Sequence, residues 1–467
     1  MKSNFKRRHF IKNAAALAAL VGLPRNKSFA KAEINDLLDA ACADVPMKGK
    51  PVFGLTVDPI KQVRVGIIGL GNRGYWHARL LNGVGLEKCK LVGICDIRPE
   101  IADQTAAYLK ENGGQTPQIY AGKADDWKKL CDRDDIDLII IATQWEAHIP
   151  MAVYAMQKGK HVALEVPAAL TIEECWKMVN TAEETQRNCI MLENVCYGSE
   201  ELWLLNMVEK GVFGTLTYAE CAYIHDLREL LFSKTYYYNQ WRIRHIEERD
   251  GNLYPTHGLG PVAQYMGIDR GDRFDYLVSM SSLQAGMDAH SGAVEVDNEF
   301  YNRKGFKHGD INNTIIKTAK GRSILVQHDV VTGRPYSRIN MLAGTKAFHK
   351  GYPSKMSVNG KGHGFLSEED YQQYREMHAH PLWEKLQRQA EKNGGHGGMD
   401  FVMLWRLIDC FNNGLPLDMD VYDAASWSVV TPISELSVQL GSVPVRFPDF
   451  TRGTWQEVRK LGVMKSV

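Results

Sequence analysis

Three glycines with the spacing G-x-G-x-x-G, Gly69, Gly71 and Gly74, stand between an apolar run and a helical pattern. In a strand–turn–helix unit they permit a tight turn, close approach of the backbone to a pyrophosphate, and packing of helix on strand. A second apolar run ends at Asp96, 22 residues after Gly74. A carboxylate there accepts hydrogen bonds from both ribose hydroxyls and repels a 2′-phosphate. The pattern therefore predicts an NAD site, and Arg98 nearby leaves NADP open.

Two further sets of side chains suit the chemistry of a cofactor site. Trp145 and His148 come directly after an apolar run at 136–142, at the carboxyl end of a predicted strand, where open parallel sheets bind ligands. His257 follows Pro255 and precedes an apolar helical pattern. An imidazole beside a cofactor exchanges protons near neutral pH and can act as a base. A histidine at a helix start is also often a cap or a packed neutral ring.

The elements that must position these residues alternate between strand and helix. The run at 136–142 is almost continuously apolar, which is typical of a strand buried on both faces of a parallel sheet. The alternation predicts right-handed βαβ units and an α/β, Rossmann-type doubly wound parallel sheet. The predicted strands are 63–68, 90–95, 136–142, 162–165 and 189–194, and the predicted helices are 74–81, 99–109, 147–158 and 172–187.

The pattern changes after about residue 197. Lys320-Gly321 between the last two strand candidates suggests a hairpin turn. We expect a polar, glycine-rich stretch at 351–398 to wrap the surface, and a helix near 400–412. The strand candidates are 216–224, 274–282, 314–319 and 323–328. Their clustering predicts a C-terminal α+β domain with an open, mostly antiparallel sheet.

Composition narrows the class of protein. The 467 residues suffice for two domains, and a net charge of +1 argues against a nucleic-acid binder. The nine cysteines are scattered and never spaced as C-x-x-C, so we expect most to be reduced core residues. No metal site is predicted, because the histidines lack the spacing of ligands and Glu193 is not paired with one of them.

The N-terminus has the pattern of a twin-arginine signal. Arg7-Arg8 precedes a short apolar run at 14–22 and small residues before Ala30. This route carries folded proteins, which suits an enzyme that loads a cofactor before export. We expect the twin-arginine export machinery as a partner and a periplasmic or cell-surface location. The predicted parts are a signal peptide at 1–30, a lead-in at 31–60, an NAD-binding Rossmann domain at 61–196 and a substrate-binding α+β domain at 197–467.

Motifs in a fixed order extend over nearly the whole chain after the signal. They are Gly-Asn72-Arg73-Gly, Gln144-Trp-Glu-Ala-His148, Glu165-Val-Pro167, Leu192-Glu-Asn194-Val, Trp241-Arg242, Asn252-Leu-Tyr-Pro-Thr-His257-Gly-Leu-Gly-Pro261, Gly333-Arg-Pro-Tyr336 and Gly394-Gly-His-Gly-Gly-Met-Asp400. With these motifs the chain from about Val63 resembles the family of glucose–fructose oxidoreductase and inositol dehydrogenase. Within that family it is most similar to glycoside hydrolase family 109, the bacterial NAD-dependent α-N-acetylgalactosaminidases.

The resemblance implies specific site residues. To the three glycines it adds NAD contacts from Asn72, Arg73, Asp96, Trp145, Glu146, Ala147, His148, Glu165, Val166, Asn194, Tyr254, Pro255, Thr256 and His257. It implies sugar contacts from Tyr223, Arg242, Tyr254 and Tyr336, and we expect His257 and Tyr254 to share the acid–base work. Without the resemblance, Tyr223 would read as a sheet aromatic, Arg242 as a solvated surface residue and Tyr336 as a loop tyrosine.

Two positions depart from the patterns of relatives. Ala147 replaces the second tryptophan of a Trp-Glu-Trp-His motif, which would reshape one wall near the nicotinamide. Val166 stands where many sugar dehydrogenases of the wider family have the lysine of Glu-Lys-Pro, close to the centre of hydride transfer. Loss of that lysine argues against simple dehydrogenation with release of NADH.

The resemblance also implies a reaction. Most glycosidases use two carboxylates, and NAD-dependent ones are an exception. In the implied cycle the sugar is oxidised at C3, loses its C2 proton to a base, and eliminates its C1 substituent. Water then adds and C3 is reduced again, so that the net redox change is zero and the cofactor need not dissociate. The expected substrates are α-N-acetylgalactosaminides.

Two other functions stay open at the level of the sequence. The chain could be an exported NAD(P)-dependent sugar oxidoreductase that recycles its NADH on a second sugar. It could also be a non-catalytic, NAD-bound sugar sensor. A homo-oligomer is a further expectation, because the exposed face of an open antiparallel sheet suits self-association.

Overall fold

The computed structural model describes residue 36 and residues 38–464, and the predicted signal at 1–30 lies outside them. Six parallel strands form the first sheet, in the order β3-β2-β1-β4-β5-β6. The chain adds β2 and β3 on one side of β1 and then adds β4, β5 and β6 on the other side. The carboxyl ends of β1 and β4 are therefore the switch point where doubly wound folds bind ligands. The strands are β1 Val63–Ile68, β2 Cys89–Asp96, β3 Gln118–Ala121, β4 Leu138–Ile141, β5 His161–Leu164 and β6 Cys189–Met191.

Helices cover both faces of this sheet, as the buried apolar strands require. All four residues of β4, Leu-Ile-Ile-Ile, are buried, so neither face of the strand tolerates water. The helices are Asn72–Val84, Pro99–Gly113, Asp126–Cys131, Trp145–Gln157 and Ile172–Thr185. The predicted Rossmann-type sheet is confirmed; strand β3 and helix Asp126–Cys131 were not predicted.

Eight strands form the second sheet, in the order β13-β12-β11-β7-β10-β9-β8-β14. Only the β7–β10 pair is parallel among the pairs in the described sheet. The predicted open, mostly antiparallel sheet is therefore confirmed. Its strands are β7 Leu216–Ile224, β8 Phe274–Ser281, β9 Asn312–Thr318, β10 Ser323–Asp329, β11 Met341–Gly344, β12 Ala347–Lys350, β13 Lys355–Val358 and β14 Val445–Arg446.

Helices of the second part of the chain pack both on the second sheet and on the first domain. Helix Thr256–Tyr265 lies so close to β7 that a Cβ at Gly258 would be 2.5 Å from the amide nitrogen of Ala222. Helix Met399–Asn413 packs on the glycine-loop helix Asn72–Val84. The remaining helices of this part are Ser199–Glu209, Arg228–Phe232, Trp241–Glu248, Gly286–Ser291, Glu368–Met377, Pro381–Asn393, Val421–Ser428 and Val430–Gln439.

The stretch at 351–398 is more ordered than its composition suggests. It contains β13 and two helices, one of which, Pro381–Asn393, buries Leu382, Leu386 and Ala390 along one stripe. The prediction of a surface wrap was wrong for this helix, because apolar residues at intervals of four outweigh the polar surroundings.

The lead-in is packed rather than loose. The ring of Phe53 stacks on Tyr422 with centroids 3.9 Å apart, and the amide of Val52 donates to the Tyr422 hydroxyl.

All nine cysteines are buried and free, as expected. In the described part of the chain no helix is long and apolar enough to cross a membrane.

Candidate active site

The glycine turn after β1 is shaped for a phosphate. Gly69 has φ +84°, and a Cβ at Gly74 would be 1.7 Å from the Gly69 carbonyl oxygen, so neither position admits a side chain. At Gly71 a Cβ would meet only Arg98, at 3.5 Å. Helix Asn72–Val84 begins after Gly71 without a side-chain cap, which leaves its first N–H groups for a ligand. These features fit the pyrophosphate of NAD.

Asp96 lies at the end of β2, beside that turn. Its Oδ2 accepts a hydrogen bond from the Leu70 amide at 2.7 Å, and its Oδ1 accepts from the backbone and side chain of Arg98 at 2.9 and 3.1 Å. The ion pair holds Arg98 against the carboxylate, so the guanidinium does not extend toward a 2′-phosphate. This arrangement suits the ribose of NAD rather than NADP.

Replacing Asp96 by alanine is expected to weaken NAD binding by about 10–100-fold, because charged hydrogen bonds contribute roughly 1.5–3 kcal/mol. The measurement is titration calorimetry of NAD into cofactor-free protein. Asp103→Ala, an exposed carboxylate on the following helix, is the control and should bind normally. An unchanged Kd in Asp96→Ala would place the ribose elsewhere.

A buried charged network borders the glycine turn. Arg73 Nε donates to Glu165 Oε1 at 2.7 Å, and Arg73 Nη1 donates to Asp400 Oδ2 at 2.9 Å. His77 Nε2 lies 2.7 Å from the same Glu165 oxygen. Burial alone would raise the pKa of Glu165, but Arg73 and His77 hold it well below its ordinary range. Glu165 is therefore ionised, and its charge is balanced before any cofactor binds.

Asp400 links this network to the C-terminal glycine motif. Asn194 Nδ2 donates to its Oδ1 at 2.6 Å, and His396 Nδ1 lies 2.8 Å from its Oδ2. Burial alone would raise the pKa of Asp400, but Arg73 and His396 hold it well below its ordinary range. The carboxylate thus joins three segments: the glycine loop through Arg73, the segment after β6 through Asn194, and its own Gly394–Asp400 motif through His396.

Aromatic rings enclose Arg242 on the far side of the turn. Its guanidinium carbon lies 5.1 Å from the Trp145 ring centroid and 4.8 Å from that of Tyr254. Arg242 Nη1 also donates to the Tyr237 hydroxyl at 2.8 Å. No carboxylate is hydrogen-bonded to this guanidinium among the described residues, so the charge remains available for the oxygens of a sugar.

His257 is paired with a buried carboxylate. Its Nδ1 lies 2.7 Å from Glu193 Oε1, and the Glu193 side chain has no exposed surface. This corrects the expectation that Glu193 is not paired with a histidine. When Nδ1–H donates to this carboxyl oxygen, Nε2, which has no hydrogen-bond partner among the described residues, carries the free lone pair. Within that part of the chain no three-residue cluster suits a metal ion.

Tyr223, Tyr254 and His257 meet at one point. The Tyr223 ring centroid lies 4.6 Å from that of Tyr254 and 5.4 Å from His257, and Tyr254 lies 5.0 Å from His257. Burial raises the pKa of Tyr254 well above its ordinary range, and burial does the same for Tyr223. Both hydroxyls are therefore protonated near neutral pH and act as hydrogen-bond donors.

Tyr336 lies at the edge of this group. It is 42% exposed, and its hydroxyl accepts a hydrogen bond from Arg338 at 2.8 Å. The His225 and Tyr336 rings are perpendicular with centroids 5.2 Å apart, and His225 Nδ1 lies 3.2 Å from the Tyr223 hydroxyl. Burial lowers the pKa of His225, so the ring is neutral and its Nδ1 can accept a hydrogen bond from the Tyr223 hydroxyl. His225 thus connects two of the three predicted sugar-binding tyrosines, Tyr223 and Tyr336.

Several predicted cofactor contacts are deeply enclosed. The His148 side chain has no exposed surface, and its nitrogens face the Pro167 and Thr143 carbonyl oxygens at 3.0 and 3.1 Å. Burial lowers the pKa of His148, whereas the two carbonyl contacts act in the opposite direction; a neutral ring donates to only one of these two oxygens. Val166, Asn194 and Thr256 are also buried, and Pro255 directly precedes the helix that contains His257. Ala147 is half-buried, and Glu146 is exposed, with its Oε1 3.1 Å from His245.

Sequence reasoning missed three polar groups of this site. Glu193 was considered only as a metal ligand, and its distance from His257 along the chain hid the pairing. His225 lies two residues after Tyr223, on the same side of the strand end, which is the one signal that pointed to it. Tyr237 belongs to a run of three tyrosines that no motif explained.

Two family descriptions match the chain. Residues 197–457 match the C-terminal domain of glycosyl hydrolase 109, and residues 63–193 match the NAD-binding Rossmann fold of the oxidoreductase family. A glycosyl hydrolase family 109 protein of Shewanella putrefaciens is 48% identical over 464 residues, covering 99% of each chain. The alpha-N-acetylgalactosaminidase of Shewanella oneidensis is 46% identical over 467 residues, with the same coverage.

Solved structures of sugar and polyol dehydrogenases share the fold. Levoglucosan dehydrogenase in complex with NADH has a TM-score of 0.61 at 17% identity, covering 83% of this chain and 100% of its own. An inositol dehydrogenase homolog of Azotobacter vinelandii, complexed with NADH and myo-inositol, has a TM-score of 0.60 at 17% identity, covering 86% and 100%. The full-length relatives and the glycine turn lead to one conclusion: the chain belongs to glycosyl hydrolase family 109 and is an NAD-dependent glycosidase.

Proposed function

We propose that this glycosidase hydrolyses α-N-acetylgalactosaminides through transient oxidation at C3 and elimination across C1 and C2. The Glu193–His257 pair is the observation that carries the proposal. Its Nδ1–Oε1 distance of 2.7 Å fixes the imidazole so that Nε2 is the proton acceptor. A carboxylate at this distance also stabilises the imidazolium that forms when the ring takes a proton, and the Glu193 side chain is fully buried beside the ring.

Tyr254 and His257 divide the proton work that sequence reasoning left shared. Burial keeps Tyr254 protonated, so its hydroxyl donates a hydrogen bond to a sugar oxygen rather than removing a proton. His257 is left as the base that removes the C2 proton. Bound NAD⁺ supplies the oxidant at C3 and returns the reducing equivalents at the end of the cycle.

The charged and polar groups around these two residues hold the sugar. Arg242 offers a guanidinium to the sugar oxygens, and Tyr223 offers a hydroxyl that is aligned by His225. The apolar Val166 side chain stands beside Glu165, whose carboxylate is already paired with Arg73 and lies 2.7 Å from His77 Nε2. No lysine at this position competes with His257 for the proton, which suits a cycle that ends without release of NADH.

The name of the Shewanella oneidensis relative, alpha-N-acetylgalactosaminidase, supports the choice of sugar.

We also propose export through the twin-arginine route to the periplasm or cell surface, supported by Arg7-Arg8 and the apolar run after them. A redox-neutral cycle is compatible with such a location, since it consumes no free NAD.

Purified protein without added cofactor is expected to release nitrophenol from nitrophenyl α-N-acetylgalactosaminide with no accumulation of NADH. In D₂O the recovered sugar should carry deuterium at C2, because the C2 proton is removed and replaced. The readouts are absorbance at the nitrophenolate and nicotinamide bands and mass spectrometry of the product. Nitrophenol release without C2 deuterium would refute elimination; ketosugar or lactone products would indicate an oxidoreductase, and binding without products a sensor.

A further inference from the structure

A loop of the second part of the chain contacts both the glycine turn and the predicted sugar site. This loop, residues 233–240, is called the tyrosine strap here because it contains Tyr236, Tyr237 and Tyr238 in succession. It connects helix Arg228–Phe232 to helix Trp241–Glu248. None of its residues belongs to the predicted cofactor site, and each of the three tyrosines contacts a different region of the active site.

The first contact of the strap is with the glycine turn. Asn72 Nδ2 donates a hydrogen bond of 2.9 Å to the Tyr236 carbonyl oxygen, across 164 residues of sequence. Asn72 is the first residue of the helix whose free N–H groups suit a pyrophosphate. The backbone of the strap therefore lies directly beside the place where phosphates would bind.

The second contact of the strap is with the ribose end of the site. The Arg98 guanidinium carbon lies 4.7 Å from the Tyr238 ring centroid, and the same guanidinium is paired with Asp96. A cation on a tyrosine face is a favourable contact, stronger when it is shielded from water. Tyr238 thus covers the arginine that stands beside the ribose-binding carboxylate.

The third contact of the strap is with the sugar site. The Tyr237 hydroxyl accepts a hydrogen bond of 2.8 Å from Arg242, whose guanidinium also faces Trp145 and Tyr254. One short segment therefore contacts Asn72 at the glycine turn, Arg98 beside Asp96, and Arg242 in the predicted sugar site.

Both ends of the strap are fixed, although its middle is exposed. Gln240 Nε2 donates to the Phe232 carbonyl oxygen at 2.9 Å and so joins the two ends. Asn239 and Gln240 have φ values of 54° and 50°, a left-handed backbone that asparagine visits readily but glutamine adopts only where its surroundings hold it. Tyr236 and Tyr238 are each 42% exposed, so each keeps side-chain surface that a ligand can cover.

We infer that the tyrosine strap forms a wall of the NAD site in addition to the glycine turn and Asp96. It closes over the cofactor and retains it between turnovers. The glycine turn and Asp96 hold NAD from the side of the first sheet, and the strap covers the opposite side through Asn72 and Arg98. The role in retention deepens the redox-neutral cycle proposed above and rests on it, whereas the placement of the strap beside NAD rests on the three contacts alone.

The test measures exchange of bound NAD in the holoenzyme, without substrate. Protein loaded with unlabelled NAD is mixed with excess isotope-labelled NAD, and the label retained by the protein is followed by mass spectrometry. Tyr238→Ala is expected to speed exchange by about three- to thirty-fold, the range of a cation–π contact. Tyr238→Phe keeps the ring and should exchange like the parent protein. Tyr276→Ala, a 38% exposed tyrosine on β8, is the control and should also be unchanged.

Equal exchange in Tyr238→Ala and the parent protein would overturn the inference. Hydrogen–deuterium exchange of the unaltered protein provides a test that needs no variant: amides of residues 233–240 should exchange more slowly with NAD than without it, and equal rates would also overturn it. Neither measurement depends on glycosidase activity. Faster NAD exchange in a protein that releases no nitrophenol would keep the strap and refute the proposed hydrolysis.

Discussion

Replacing His257 by alanine is expected to lower kcat on nitrophenyl α-N-acetylgalactosaminide by about 10²–10⁴-fold, the usual contribution of a positioned general base. The imidazole is the group next to Tyr254 whose free nitrogen can accept a proton, because burial keeps the tyrosine hydroxyls of the site protonated. Incorporation of deuterium at C2 should fall in parallel. Bound NAD should remain, since the change removes no group from the glycine turn.

The control for this experiment is His290→Ala. His290 is also a helical histidine, and its side chain is 15% exposed against 16% for His257, but it lies outside the Glu193 pair. Its turnover should match that of the parent protein. If His257→Ala retained NAD and near-native turnover, His257 would not be the C2 base, and Tyr254 would have to be reconsidered despite its raised pKa.

A Glu193→Gln variant separates the role of the carboxylate from that of the ring. A glutamine amide can donate to Nδ1 and so stabilise the tautomer that carries its proton on Nε2, which cannot accept another. Turnover should then fall by roughly 10²-fold or more, as when the orienting carboxylate of a histidine is lost in other enzymes, with the imidazole still in place. Equal turnover of Glu193→Gln and the parent protein would reduce Glu193 to a packing role.

The local parts of the site could be predicted because they depend on contiguous residues. Gly69, Gly71 and Gly74 specify a turn through their own backbone requirements, and the apolar runs on either side specify the strands that hold it. Asp96 follows from the end of the second strand in the same way. Each of these predictions uses a pattern shorter than thirty residues, within which secondary structure decides position.

The partners of those residues could not be predicted, because they come from distant parts of the chain. Glu193 and His257 are 64 residues apart, Arg73 and Asp400 are 327 apart, and no periodicity relates them. Two packed helices, Thr256–Tyr265 and Met399–Asn413, bring these side chains together. The tyrosine strap was missed for the same reason, since a run of polar aromatic residues in a loop specifies no partner.

Replacing Asp400 by asparagine is expected to destabilise the protein by about 2–4 kcal/mol at neutral pH, because the half-buried Arg73 guanidinium loses one of its two carboxylates. Arg73 keeps Glu165 at 2.7 Å, so the cost stays below that of an unpaired charge. The measurement is urea unfolding in saturating NAD. Asp103→Asn, at an exposed position on helix Pro99–Gly113, is the control and should cost less than about 1 kcal/mol.

The same contact gives the direction of the pH dependence. Arg73 and His396 hold the pKa of Asp400 below its ordinary value of about 4, so the unfolded chain takes up this proton before the folded protein does. The stabilisation is therefore complete above about pH 4 and is lost as the pH falls through the lower pKa of the folded state. The difference in unfolding free energy between the parent protein and Asp400→Asn should be largest at neutral pH and shrink below pH ~4. A difference that stayed constant into acid would mean that the Asp400 charge does not hold the glycine turn to helix Met399–Asn413.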